Sequence, residues 1–191
     1  NGRRRQRQMC IRDRHISPLK FEEIKDRVIV LDGWSKTYSM TGWRLGYGIY
    51  PKEIFSFAEK LAINSHSCVN SASQFAGIEA LRGDQTSVDN MIIEFNKRRN
   101  FLVSELNKIE NIQCKQPGGA FYVFPKINKE NMNSVEISRY LLEKKFIATV
   151  PGSSFGKNGE GFLRISYAST FENLEKSVSY THLTLPTTTI V

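Results

Sequence analysis

Residues 30–47, Val30 through Tyr47, read VLDGWSKTYSMTGWRLGY. One lysine, Lys36, stands in a turn of small residues, and Arg44 follows it with Gly33, Gly42 and Gly46 close by. The apolar run Val28–Leu31, ended by Asp32-Gly33, reads as a buried strand that delivers the Ser35-Lys36 turn. Trp43–Tyr50 reads as a second strand, whose glycines at 46 and 48 admit close backbone packing. A lysine amine has a reference pKa of about 10.4, so in water it is protonated and a poor nucleophile. It attacks a carbonyl only when partly desolvated or set beside other positive charge. Arg44 can return near Lys36, while Ser35 and Thr37 add hydroxyls and no carboxylate. Such surroundings suit an amine joined to a carbonyl cofactor that also bears phosphate, with Arg44 pairing the phosphate bidentately. On spacing alone a plainer reading stands beside this one: Ser-Lys pairs are common, and Arg44 could close an ion pair at a domain edge.

Outward from this stretch the chain is mixed helix and strand. Pro51 opens a helix whose apolar positions 54, 57, 58, 61 and 62 predict one buried stripe. Asn64–Asn70 is polar and aperiodic and reads as a loop. Ser71 or Ser73 can cap a helix running through Phe75, Ile78 and Leu81 to Gly83. A longer helix follows on Val88, Ile92, Phe95, Arg99, Leu102 and Leu106. Beyond Asn111 the units shorten. Ile112–Lys115 and Phe121–Phe124 read as strands around the Gln116–Gly119 turn. Asn133 and Glu136 form a capping-box pattern before a helix through Leu141 and Leu142. Ala148–Val150 is a short strand, and Phe162–Tyr167 alternates with Leu163, Ile165 and Tyr167 on one face and Phe162, Arg164 and Ser166 on the other. Ser169 and Glu172 begin a last helix, whose pattern is interrupted after 177.

Composition bounds the rest. The 191 residues are 40% hydrophobic and 11% aromatic, enough for a real core. No apolar run is long enough to span a membrane, and no apolar segment follows the arginine-rich start as a signal peptide requires. The chain does not begin with methionine, which suggests a fragment or a processed product. Residues 1–14 hold six arginines and one aspartate, +5 of the +8 net charge, so the body is only mildly basic and no nucleic-acid partner is expected. Cys10, Cys68 and Cys114 make no CxxC pair, and His15, His66 and His182 have no metal-ligand spacing. Reduced thiols, a cytoplasmic location and no metal are the expectation. The tails 1–14 and 178–191 differ in composition from the body and resemble translated sequencing-adapter text. A basic arm for phosphates is the alternative for the first.

The motif residues Gly33-Trp-Ser-Lys36-Thr-Tyr-Ser-Met-Thr-Gly-Trp-Arg44-Leu-Gly46 resemble the pyridoxal-phosphate attachment signature of class I/II aminotransferases. Lys36 matches the Schiff-base lysine and Arg44 the phosphate-binding arginine. Ser35 is a further cofactor-binding candidate, and Gly33 stands where some members carry a phosphate-contacting serine. Trp34 departs from the smaller apolar residue usual there. QPGGAFYVFP (116–125) is similar to the family's small-domain strand, and VPGSSFGKNGEGFLRISYA (150–168) to its C-terminal block, in which Arg164 matches the arginine that grips the substrate α-carboxylate. From the residues alone, Arg164 could equally be a strand arginine snorkelling to water.

The resemblance covers residues 15–177 and implies an α/β fold, part of a fold-type I pyridoxal-phosphate-dependent transferase. It places the C-terminal part of a large domain, built on a mainly parallel sheet, at 15–70. Interdomain helices occupy 71–112, and a small α+β domain with a truncated last helix fills 113–177. The implied activity is amino transfer between an L-amino acid, with a lean to aspartate, and a 2-oxo acid, by ping-pong kinetics through Lys36. The implied assembly is a homodimer. The carboxylate that pairs with the pyridine nitrogen lies upstream of this chain in the family, so the chain alone is expected to be inactive. Rival readings on the same scaffold are a C–S lyase, a cyclopropane-forming synthase, and the non-catalytic effector domain of a transcription regulator.

Overall fold

The computed structural model describes residues 17–129 and 131–182. These divide inside one long helix, between Met91 and Ile92, into two compact units. The basic segment 1–14 and residues 183–191 of the second tail lie outside the described residues.

In the first unit, β1 (Val30–Gly33) pairs antiparallel with β2 (Gly46–Ile49) in the register Val30↔Ile49, Leu31↔Gly48, Asp32↔Tyr47 and Gly33↔Gly46. β1 begins two residues later than the apolar run suggests, and β2 is shorter and starts later because Trp43 belongs to a 3-10 turn over Thr41–Trp43. β1 is also not buried: Leu31 is 71% exposed, and the two-stranded pair has no third strand beside it among the described residues. Every strand pair described is antiparallel, so the mainly parallel sheet the resemblance implies is not in the part of the fold displayed here.

Between the strands lies a single helical turn, α1 (Trp34–Thr37), and after them come α2 (Lys52–His66) and α3 (Ser71–Arg82). Pro51 is the N-cap of α2 rather than its first residue. The helix runs through Asn64, where a loop was expected. The Asn64 amide donates to the Lys60 carbonyl at 2.7 Å and so turns a polar residue back onto its own helix. The apolar stripe of α2 is not buried, with Phe57 at 69% and Leu61 at 68% exposure. Periodicity identifies the apolar face of a helix and says nothing of what covers it. Asn70, not Ser71 or Ser73, caps α3, its side chain accepting from the Ser73 N–H at 3.1 Å, and Gly83 ends the helix.

The second unit begins within α4 (Thr86–Leu106). β3 (Ile112–Gln113) pairs with β5 (Lys126–Ile127), and β4 (Tyr122–Val123), β7 (Leu163–Ser166) and β6 (Val150–Pro151) form a three-stranded sheet in the order β4-β7-β6. Helices α5 (Ser134–Lys145) and α6 (Phe171–His182) complete it. Leu102, Leu106, Val123, Leu141, Leu163 and Leu174 lie in one continuous core. Leu163 and Ile165 face that core, as the alternation predicts. Tyr167 is buried with them and donates its hydroxyl to the Ala120 carbonyl at 2.6 Å. α6 continues beyond 177 to His182, and Val178 is buried in the core, so the helical pattern does not break at 178. No helix among the described residues is long and apolar enough to cross a membrane.

The capping box at α5 is present: Asn133 accepts from Val135 and Glu136, and Glu136 accepts from the Asn133 N–H at 2.8 Å. A second carboxylate, Glu160, reaches the same helix start from the loop before β7. It accepts from the Ser134 N–H at 2.6 Å, the Gly161 N–H at 3.0 Å and the Ser134 hydroxyl at 3.0 Å. Those donors, the Ser134 N–H foremost, hold the Glu160 carboxyl below its ordinary value. A depressed native value means the contribution is complete above the ordinary glutamate pKa of about 4.3 and disappears as pH falls through the native value. On acidification from about pH 5 to about pH 3, the chain should lose stability to urea more steeply than a Glu160→Gln variant; equal slopes would remove Glu160 from the acid response.

Candidate active site

The Gly33↔Gly46 pair closes the 34–45 connection at its base. The Trp34 N–H reinforces it by donating to the Leu45 carbonyl at 3.3 Å, and the Asp32 carboxylate accepts from the Gly33 N–H at 2.7 Å. Ser35, Lys36 and Arg44 therefore belong to one excursion of chain with fixed ends. A side chain at position 33 would put its Cβ 3.0 Å from the Leu45 carbonyl oxygen, so the close crossing suits glycine.

Trp34 seats the excursion. Its side chain is only 8% exposed and packs with Met40 and Leu45, against Tyr38, Ala76 and Ala80. The indole N–H donates to the Gly77 carbonyl of α3 at 3.0 Å, and the Tyr47 ring meets the indole edge-on at 5.1 Å. A Cβ at Gly77 would lie 2.4 Å from Leu45 Cδ2 and 3.3 Å from Trp34 Cε2, so α3 approaches closely because this position is bare. Tyr38 adds a bond from its hydroxyl to Gln85 Oε1 at 3.3 Å.

Lys36 lies on the one-turn helix two residues after this anchor. It is exposed and Ser35 is half-buried, so the partial desolvation expected of Lys36 is not present among the described residues. Arg44 is also exposed; it ends the Thr41–Trp43 turn in the left-handed region (φ 51°) and donates Nη1 to the Thr41 carbonyl at 3.0 Å. Its Nε and Nη2 make no hydrogen bond among the described residues and form an open fork. No carboxylate occurs in 34–45. An amine, a guanidinium and a hydroxyl on one stretch that itself contains no Asp or Glu suit a group bearing both an aldehyde and an anion.

Arg164 belongs to the second unit, at the centre of β7. It faces away from the core, opposite Val150 of β6. Its guanidinium lies over the Tyr122 ring at 4.5 Å and the Phe155 ring at 5.0 Å. Among the described residues it has no ion-pair or hydrogen-bond partner. Of the two described cysteines, Cys68 is exposed and Cys114 is buried, its thiol pushed up to about 11 by desolvation.

The sequence offers Lys36, Ser35, Arg44 and Arg164 as candidates and does not reveal Trp34 as the anchor. Its partner Gly77 is remote in sequence, and only the departure from a smaller residue hinted at a special fit. Trp34→Ala should cost the first unit about 3–5 kcal/mol, as a truncation of a buried aromatic does. Urea unfolding followed by circular dichroism measures it, and a loss under about 1 kcal/mol would contradict the anchoring role.

The family model described as aminotransferase class I and II matches residues 9–180. The aspartate aminotransferase of Pyrococcus horikoshii is 40% identical over 168 residues, which span 87% of this chain and 42% of that protein. The aspartate/prephenate aminotransferase of Nitrosomonas europaea is 39% identical over 167 residues, covering 82% and 42%. Among solved structures, the aromatic aminotransferase of Pyrococcus horikoshii superposes with a TM-score of 0.85 at 34% identity, over 92% of this chain and 47% of that one. The aspartate aminotransferase of Rhizobium meliloti gives 0.83 at 32%, over 93% and 47%. The chain thus spans less than half the length of these relatives, and its architecture is the corresponding part of the fold-type I aminotransferase fold. With the motif at Lys36 seated in that architecture and the family model running over most of its length, the chain belongs to the aminotransferase class I and II family.

Proposed function

We propose that the protein carrying this chain is a pyridoxal-phosphate-dependent aminotransferase that moves an amino group between an L-amino acid and a 2-oxo acid. The observation that carries the reading is the 34–45 connection, where an amine and an open guanidinium fork share one closed excursion free of carboxylates. Pyridoxal phosphate fits that donor set. Lys36 would bind its aldehyde carbon through Nζ, Arg44 would grip its phosphate through Nε and Nη2, and Ser35 would add a hydroxyl to the same anion. When bound, this cofactor supplies an electron sink for the charge left on a substrate carbon that loses its proton.

The protein's own groups do the remaining work. Once the substrate's amine has displaced it from the aldehyde carbon, Lys36 Nζ would be the base that takes the α-proton and returns it elsewhere on the reacting framework. Arg164 grips the α-carboxylate and so orients the C–H bond to be broken. Alternation of amino donor and oxo acceptor at one site gives ping-pong kinetics. Aspartate is the favoured donor, on the names of the relatives. Homodimerisation and action in the cytoplasm belong to the same proposal and rest on the family. The exposed Lys36 supports a further part of it, that the chain alone does not turn over substrate.

Borohydride reduction in the presence of pyridoxal phosphate, followed by peptide mass mapping, should label Lys36, and Lys36→Ala should abolish the label. Labelling at another residue would overturn the reading. Arg44→Ala should weaken pyridoxal-phosphate binding about ten-fold or more, the loss expected for a charged hydrogen-bonding partner.

A further inference from the structure

The surroundings of Arg164 follow from strand register. Tyr122 is the cross-strand partner of Ser166, and residues two apart on a strand share a face. Tyr122 is therefore the diagonal neighbour of Arg164 on the side turned away from the core, within reach of a long side chain. Phe155 arrives from the opposite edge, at the end of the 3-10 turn Gly152–Phe155 that follows β6. Phe155 is supported in turn. Phe124 meets it edge-on at 5.9 Å and stacks on Phe162 at 5.2 Å with the planes 9° apart.

Two aromatic rings thus hold a guanidinium that makes no ion pair among the described residues. A carboxylate partner would also fix an arginine, but it would occupy the fork and cancel the charge. The face of a ring attracts the cation through its quadrupole and accepts no ordinary N–H hydrogen bond. All five N–H donors remain available at the guanidinium edge.

We propose that Tyr122 and Phe155 are positioning residues for carboxylate recognition, holding the Arg164 fork in orientation by their ring faces while leaving its donors open. The inference rests on the reading of Arg164 as the carboxylate clamp. It assigns the work at position 122 to the ring and not to the phenol hydroxyl. It also makes the planar guanidinium matter, since a lysine ammonium has no fork to orient.

The test is a succinate titration of this chain, read at the Arg164 Nε–Hε resonance. The resonance should shift saturably in the wild type. Tyr122→Leu and Phe155→Leu should each weaken succinate about five-fold, the size of a partly exposed cation–π contact. Tyr122→Phe should bind within about two-fold of the wild type, since it retains the ring face. Phe155 is more than half exposed, so Phe155→Leu keeps the test open should Tyr122→Leu fail to fold. Absence of a saturable shift in the wild type would overturn the clamp reading and this inference with it. A saturable shift lost in Arg164→Ala but unchanged in both leucine variants would overturn the positioning role alone.

Discussion

The crossing of two glycines, Gly33 on β1 and Gly46 on β2, is the constraint on which the lysine-bearing excursion depends. Gly33 is fully extended, with φ −167° and ψ 163°, and its missing side chain lets the Leu45 carbonyl come close enough to accept from the next amide. That fixes both ends of the connection. The orientation within it comes from Trp34, which turns inward onto α3 while Lys36, two positions along the same helical turn, is left at the surface. A side chain two residues from a buried anchor on one helical turn cannot follow it inward, because such residues do not share a face. Exposure of the amine is thus a consequence of the burial of the indole.

The parts of the fold legible in the sequence were those set by local rules. The Asn133–Glu136 capping box needs only three-residue spacing, and it forms. The alternation in β7 needs only a period of two, and it places Leu163 and Arg164 on opposite sides. What escaped depended on distant partners or on cover. Trp34 meets Gly77 across 43 positions, a pairing no short-range pattern contains. The stripe on α2 is apolar, as its spacing predicts, yet exposed, because burial is a property of the neighbour. The end of α2 was misplaced by three residues because side-chain bonds to the preceding turn let Asn64 and His66 behave as helix formers.

The two units differ in how their functional side chains are supported. In the second, Arg164 sits on a strand whose adjacent residue, Leu163, is completely buried in a core shared by three helices and two sheets. In the first, the buried cluster is Trp34, Met40 and Leu45 alone, with three half-exposed side chains around it. Elements with few buried apolar contacts open at lower free energy than elements within a continuous core. The lysine turn is therefore the more dependent of the two on each individual contact, and Trp34 bears most of that dependence.

The arginines complete the argument. On the helix surfaces, cations are held by carboxylates three or four residues away, as in Arg98–Glu94 and Lys176–Glu172. Such pairs neutralise charge and leave little for a ligand. Arg44 and Arg164 are held otherwise. Arg44 is turned by a left-handed backbone and a bond from one nitrogen to the Thr41 carbonyl, a neutral acceptor that leaves the charge intact. Arg164 is held by ring faces, which take no N–H hydrogen bond. A cation fixed without an anion keeps both orientation and charge, the two properties needed to receive a carboxylate or a phosphate from outside. The fold supplies this by two unrelated local devices, one in the backbone of a turn and one on the outer face of a sheet, and that shared outcome distinguishes these two arginines from the solvated ion pairs around them.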